Sequence, residues 1–180
     1  LTADVNNDGI LETIIIGSRE SESIDDEDFI TLYVAGGSEL YKADIADGSY
    51  TSAFLTSTDS GKPCLLINIT FIDNNAWIFS LNGIQPISRN IISGLVKEVS
   101  GADITIEDDT DVLGSWYYTR NFLLSDDFTL KPVSDYLIST DEMEPLHTIK
   151  KLPVEMLIEG AYVQQMLNEG IYIYPVSKDD

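Results

Sequence analysis

Short, mostly apolar stretches follow one another along most of the chain, and Gly, Asn and Asp separate these stretches. The stretches are rich in β-branched and aromatic side chains, as in Phe29–Val34, Leu65–Ile72 and Ser115–Leu124. Runs of this kind, one roughly every 10 to 15 residues, are typical of antiparallel strands. We therefore predict an all-β fold: an antiparallel curved sheet, a sandwich, or a partial propeller-like meander.

The character of the sequence changes after residues 141–145, which are typical of a linker. We predict an antiparallel β domain over residues 1–140 and a small β segment over residues 146–180. Because a few short strands are not stable alone, this segment is expected to dock on the main sheet or to begin a small separate module. Val163–Leu167 fits a helical turn and an extended strand equally well, and at most one or two short helices are expected.

Composition narrows the possible partners. The 180 residues include 10 Lys and Arg against 31 Asp and Glu, a net charge of −21, and 43% of the residues are hydrophobic. Nucleic acid is excluded as a partner because its backbone requires clustered cations. Membrane insertion is excluded as well, because no segment approaches the roughly 20 apolar residues of a membrane span. The acidic run Glu20–Asp28 is interpreted as a solvated loop.

The first residue and the cysteine content bear on location. The chain begins at Leu1, with neither Met nor a charged and apolar leader, which favours a trimmed product whose signal segment has been removed. We therefore expect a secreted or cell-surface protein. Cys64 has no cysteine partner in the chain, so cysteine usage does not define the redox compartment.

The most specific chemistry lies in Asp4-Val-Asn-Asn-Asp-Gly-Ile-Leu-Glu12. Oxygen-bearing side chains at loop positions 1, 3, 5 and 9, with Gly at position 6, suit a hard cation such as Ca²⁺. An EF-hand is excluded because Ile15 stands at position 12 and a strand follows. The alternative is a plain hairpin turn whose carboxylates face water. The predicted structural Ca²⁺ site uses the side chains of Asp4, Asn6, Asp8 and Glu12 and the carbonyl of Ile10.

This loop, running into the apolar stretch Thr13–Ile16, resembles the calcium loops of FG-GAP and VCBS repeats in integrin α-subunit propellers and secreted bacterial proteins. The resemblance implies that the five listed groups hold the ion in a propeller-like fold. Leu113–Arg120 and Lys150–Val176 look like parts of uncharacterised exported proteins of Gram-positive gut bacteria, whose tails resemble bacterial Src-homology-3-like modules. One loop and a length of about three blades do not close a ring, so a curved sheet or sandwich is preferred.

Aromatic side chains raise a second functional class. Trp77, Trp116 and Tyr117 offer flat apolar faces to a sugar ring, as in a carbohydrate or cell-wall binding domain. Strand alternation places Trp116 and Tyr118 on one face and Tyr117 on the other, which favours packing between strands.

The sequence offers little support for catalysis. It has no nucleophile elbow, no Gly-rich phosphate loop and no His and Cys metal cluster, and His147 is its sole histidine. A glycoside hydrolase-like enzyme remains an alternative, because two carboxyl groups facing each other across a cleft leave no sequence pattern. We predict no catalytic residues. The expected protein is a non-catalytic binding or display module whose partner is a protein or a cell-wall carbohydrate.

Overall fold

The structure is a computed structural model that describes residues 1–5, 8–19, 29–70, 73–110, 116–133, 136–139, 146–147, 150–158, 161–170, 172–173 and 177–179. Every helix or strand element among these residues is a β-strand, so the all-β prediction is confirmed. Val163–Leu167, which the sequence left open between helix and strand, is extended.

The chain divides into two compact units. Unit 1 comprises Leu1–Asp108 and Thr119–Asp135, and unit 2 comprises Asp109–Tyr118 and Tyr136–Asp180. The strands of unit 1 are β1 (Thr2–Ala3), β2 (Glu12–Arg19), β3 (Phe29–Gly36), β4 (Glu39–Asp47), β5 (Ser49–Ser57), β6 (Pro63–Thr70), β7 (Asn74–Ser80), β8 (Ile87–Ser93), β9 (Leu95–Ser100), β10 (Asp103–Thr110), β11 (Trp116–Leu124) and β12 (Leu130–Pro132). Two strands, β10 and β11, begin or end in unit 2, and the other strands in this list lie wholly in unit 1.

Three sheets follow one another along unit 1. Sheet A is the antiparallel meander β1-β2-β3-β4, and sheet B is the antiparallel meander β5-β6-β7-β8. In sheet C, β9, β10 and β11 are neighbours in that order, and β12 pairs with β11. Because each sheet joins strands consecutive in the chain, short connections account for most of the topology.

Among the described residues, unit 2 has six further strands in three antiparallel pairs. β13 pairs with β18, β14 with β17, and β15 with β16. In the β15–β16 hairpin, residues 152–155 and 161–167 are mostly exposed. The bounds of these strands are β13 (Tyr136–Ser139), β14 (Leu146–His147), β15 (Leu152–Ile158), β16 (Ala161–Leu167), β17 (Tyr172–Ile173) and β18 (Ser177–Asp179).

Sheet B is the middle layer of unit 1, and both faces of its central strands β6 and β7 are mostly buried. Along β6, Leu65 and Ile67 pack in a core cluster with the inner face of sheet A, whereas Cys64 and Leu66 pack in a second cluster with sheet C. This burial on both faces explains why β6 is a continuous apolar run rather than an alternating one. It also raises the pKa of the Cys64 thiol to about 12, so the thiol stays protonated.

Asn68 is a buried polar link between sheets B and C, with 2% of its surface exposed. Its amide nitrogen donates to the carbonyl of Val96 (2.8 Å) and to Ser52 Oγ (2.8 Å), and its Oδ1 accepts from the N–H of Val96 (2.9 Å). Because β9 is an edge strand of sheet C, the Asn68 amide takes the place that a neighbouring backbone would occupy.

Asn68→Ala is expected to lower the free energy of unfolding by roughly 2–4 kcal/mol, because it leaves the N–H and C=O of Val96 buried without partners. Urea denaturation measures the change. The control is Asn121→Ala, which removes an exposed acceptor of Thr105 Oγ1 and should change stability by less than about 0.5 kcal/mol. Equal losses in the two variants would contradict this role of Asn68.

Candidate functional site

The predicted calcium loop connects β1 to β2. The two strands pair Thr2 with Thr13 and Ala3 with Glu12. Beyond these pairs, the backbone of Leu1 exchanges two hydrogen bonds with Ile14, at 2.8 and 3.0 Å. The chain therefore closes as a hairpin in which Asp4 and Glu12 begin and end the loop.

Backbone N–H groups hold the two aspartates of the loop. Asp4 Oδ1 accepts from the N–H of Asp8 (3.1 Å), and Asp4 Oδ2 accepts from the N–H of Gly9 (2.9 Å). Asp8 Oδ1 accepts from the N–H of Ile10 (2.8 Å). Gly9 has a φ of +84°, a left-handed conformation in which a side chain is strained. Local side-chain to backbone bonds therefore shape the turn.

Glu12 differs from the other acids of the loop because it is buried, with 3% of its surface exposed. Its Oε2 accepts from the N–H of Val5 at 2.8 Å. Neither of the two ion pairs found among the described residues involves Glu12. Burial of a carboxylate without a counter-charge is costly, so this position favours a bound cation.

Gly36 of β3 makes room for Glu12. A Cβ atom added at Gly36 would lie 2.5 Å from Cγ and 2.9 Å from Oε1 of Glu12. A side chain at position 36 therefore displaces the Glu12 carboxylate.

The structure describes four of the five residues predicted to bind calcium. Asp4, Asp8 and Glu12 are described as above, the side chain of Ile10 is 62% exposed, and Asn6 lies outside the described residues. In the part of the chain that the structure describes, no three His, Cys, Asp or Glu side chains form a group suited to hold a metal. The oxygen-only donor set fits a hard cation, and the calcium site stays a prediction.

The aromatic residues considered as an alternative sugar-binding surface have different surroundings. Trp77 stacks on Phe79 with ring centroids 6.2 Å apart, and it lines a pocket of about 340 Å³ together with Asp44 and Asp47. Tyr117 is 47% exposed. Trp116 begins β11, and its side chain lies outside the described set.

A larger cleft, of about 720 Å³, was not predicted from the sequence. We call it the turn cleft, because the β5–β6, β7–β8 and β11–β12 connections contribute most of its lining. Its charged and aromatic residues come from distant parts of the chain, and no sequence motif marks them. They are Lys62, Arg89, Asp126, Asp127 and Phe128.

Both aspartates of the turn cleft are ionised. Hydrogen bonds from Ser60 and Thr58 lower the pKa of Asp126 to about 2, and hydrogen bonds from Ser125 and Thr129 do the same for Asp127. A glycosidase general acid needs a raised pKa, so this pair does not fit that role.

Comparisons with known proteins give no relative: the chain matches no protein-family model, no curated protein and no solved structure. Within the described residues, no helix is long and apolar enough to cross a membrane. The case for function therefore depends on the sites themselves.

Gly36→Ala is expected to lower the free energy of unfolding by about 1–3 kcal/mol, because a displaced Glu12 loses its bond to the N–H of Val5. Chemical denaturation measures the loss. The matched control is Gly17→Ala in β2, where an added Cβ meets no atom within 4 Å. The control should be neutral or stabilising by roughly 0.5 kcal/mol. A similar loss in both variants would show that the contact with Glu12 is not the cause.

Proposed function

We propose that this protein is a non-catalytic, secreted or cell-surface β module that acts in binding or display, with one structural Ca²⁺ held by the Asp4–Glu12 loop. The observation that supports this most directly is the buried Glu12 carboxylate, which has a backbone hydrogen bond but no ion pair within the described part of the chain.

Electrostatics favours a cation at this loop. Asp4, Asp8 and Glu12 place three carboxylates within nine residues, in a chain whose net charge of −21 concentrates cations around it. A divalent ion offsets the mutual repulsion of the three carboxylates. Oxygen ligands without His or Cys suit Ca²⁺ better than softer metals.

The calcium loop is connected to the hydrophobic core, so a cation that orders the loop would also stabilise the packing around Val5. Val5, inside the loop, is fully buried in the cluster between sheets A and B. Its carbonyl accepts from the N–H of Gly83, in the connection between β7 and β8, at 2.7 Å. A cation bound by Asp4 and Glu12 would fix Val5 between them. An extracellular location suits this role, because weak calcium sites are filled where free calcium is abundant.

Calcium is expected to raise the melting temperature relative to EDTA, and magnesium to raise it much less. Calcium at a hundred times its Kd adds about 2.7 kcal/mol, which corresponds to a shift on the order of 5–10 °C for this chain length. Asp8→Ala should remove the response and leave the β-rich far-UV spectrum intact.

The matched control is Asp73→Ala, which removes an exposed acid outside the loop and should keep the calcium response. If Asp8→Ala still gains stability from calcium, or if magnesium acts as strongly as calcium in the unmodified protein, the assignment of the loop is wrong.

The pocket at Trp77 favours carbohydrate binding as a second candidate function. A half-buried indole beside carboxylates provides a stacking face together with acceptors for sugar hydroxyl groups. Asp44 is oriented by Thr31 Oγ1, which donates to its Oδ1 at 2.6 Å. Asp47 lines the same pocket.

Oligosaccharides of neutral hexoses or N-acetylhexosamines should shift the fluorescence of Trp77, measured in a Trp116→Phe background that leaves it as the single indole. Asp44→Ala should weaken binding about tenfold, as expected for the loss of a charged hydrogen bond. Asp103→Ala, an exposed acid outside the pocket, is the control. An emission spectrum unchanged by every sugar would remove this candidate.

A further inference from the structure

We propose that the turn cleft of unit 1 binds a small ligand through a carboxylate group that docks on Arg89. The proposal rests on the proposed binding role of the protein and names the ligand class, but it does not depend on the calcium loop. It follows from how Arg89 is held, from the charges around it, and from the size of the cleft.

Arg89 is fixed on two sides. Its Nε donates to Ser80 Oγ at 2.8 Å, and its guanidinium carbon lies 5.5 Å from the centroid of the Phe128 ring. Its terminal nitrogens donate no hydrogen bond to any residue that the structure describes. A planar guanidinium held in this way keeps two parallel donors in place, and these donors match the two oxygens of a carboxylate.

The other charged groups of the cleft have hydrogen-bond or ion-pair partners. Lys62 Nζ lies 3.7 Å from Asp126 Oδ2 and donates to the Asp126 carbonyl at 3.1 Å. Asp127 Oδ1 accepts from Ser125 Oγ at 2.6 Å and from Thr129 Oγ1 at 2.7 Å. Among the described lining residues, Arg89 is therefore the cation that no carboxylate pairs with, and Asp127 is held by hydroxyl groups rather than by a cation.

The lack of a carboxylate partner for Arg89 is unexpected, because acids outnumber bases three to one in the chain. The overall field attracts cations and repels dissolved anions, so a free carboxylate gains nothing from long-range attraction. An anion that binds here must be held by local, directed contacts. The two donors of Arg89 supply such contacts.

The turn that carries Phe128 has a strained backbone at this residue. Phe128 has a φ of +64°, a left-handed conformation that is strained for a non-glycine residue. Hydrogen bonds between Ser125 and Thr129 close the turn around it. This conformation keeps the Phe128 ring under the Arg89 guanidinium.

The cleft has room for more than a carboxylate. Its volume of about 720 Å³ lies within the range of small-molecule sites. Ser60 and Asn82 add polar groups to the lining, and Phe128 and Leu81 add apolar ones. The expected ligand is therefore a small molecule that carries a carboxylate together with other polar groups. Two sources of such a carboxylate are the C terminus of a peptide and the uronic acid of an acidic glycan.

The test is a titration of the ¹⁵N-labelled full chain followed by NMR, in CaCl₂ and again in EDTA. The probes are N-acetylalanine and glucuronate, with N-acetylalanine methylamide and glucose as their neutral counterparts. A carboxylate probe is expected to shift the Arg89 Nε–H and Phe128 N–H signals, and its neutral counterpart is not. The probe that binds more tightly identifies the source of the carboxylate.

Arg89→Lys keeps the charge but loses the planar fork, so it should weaken carboxylate binding tenfold or more. The matched control is Arg120→Lys, because Arg120 also lies 5.5 Å from an aromatic ring, that of Phe122, but does not line the cleft. Binding by the control should be unchanged. Equal weakening in the two variants would overturn the proposal.

Two further results would overturn it: neutral probes that bind as well as the carboxylates, or no shift at Arg89 with any probe. These failures differ from a failure of the calcium assignment. Loss of the calcium response in melting experiments, with carboxylate binding intact in EDTA, would leave the turn cleft proposal standing.

Discussion

Burial of both faces of the central strands of sheet B is the constraint on which unit 1 depends. Successive residues of β6 point in opposite directions, so Leu65 needs cover from sheet A and Leu66 needs cover from sheet C. A strand that is apolar on both faces is not stable in water, and the two outer sheets supply the cover. The polar links between layers also form at sheet B, through Asn68 to Val96 and through Gly83 to Val5.

The same layering brings the calcium loop and the turn cleft into one unit. Sheets A and B are meanders, so the chain reverses between every pair of strands, and the reversals collect at the ends of the sheets. The calcium loop joins the β7–β8 connection through Val5, while Lys62 of the β5–β6 connection contacts Asp126 of the β11–β12 connection. The strands supply rigid positions, and the connections supply the chemistry.

Local sequence predicted the strands because their signal is local. The β-branched and aromatic run Phe29–Val34 is recognised from neighbouring residues alone, whereas the state of Val163–Leu167 depends on pairing with β15. The loop at Asp4 was found because its acids fall within nine residues. Burial of Glu12 was not foreseen, since it arises from the register that places Gly36 beside it. The turn cleft was missed because only the topology joins Arg89 to Phe128.

The negative charge of the chain affects the calcium loop and the turn cleft in opposite ways. In a field that already concentrates cations, a cation site requires only oxygen atoms held close together, which a short loop closed by its own backbone bonds provides. An anion site must act against that field. Arg89 is accordingly held by Ser80 and by the ring of Phe128, a residue kept in a strained conformation by its turn. The side chain that must bind its ligand against the overall charge is therefore the one held by a neighbouring side chain and by a strained turn.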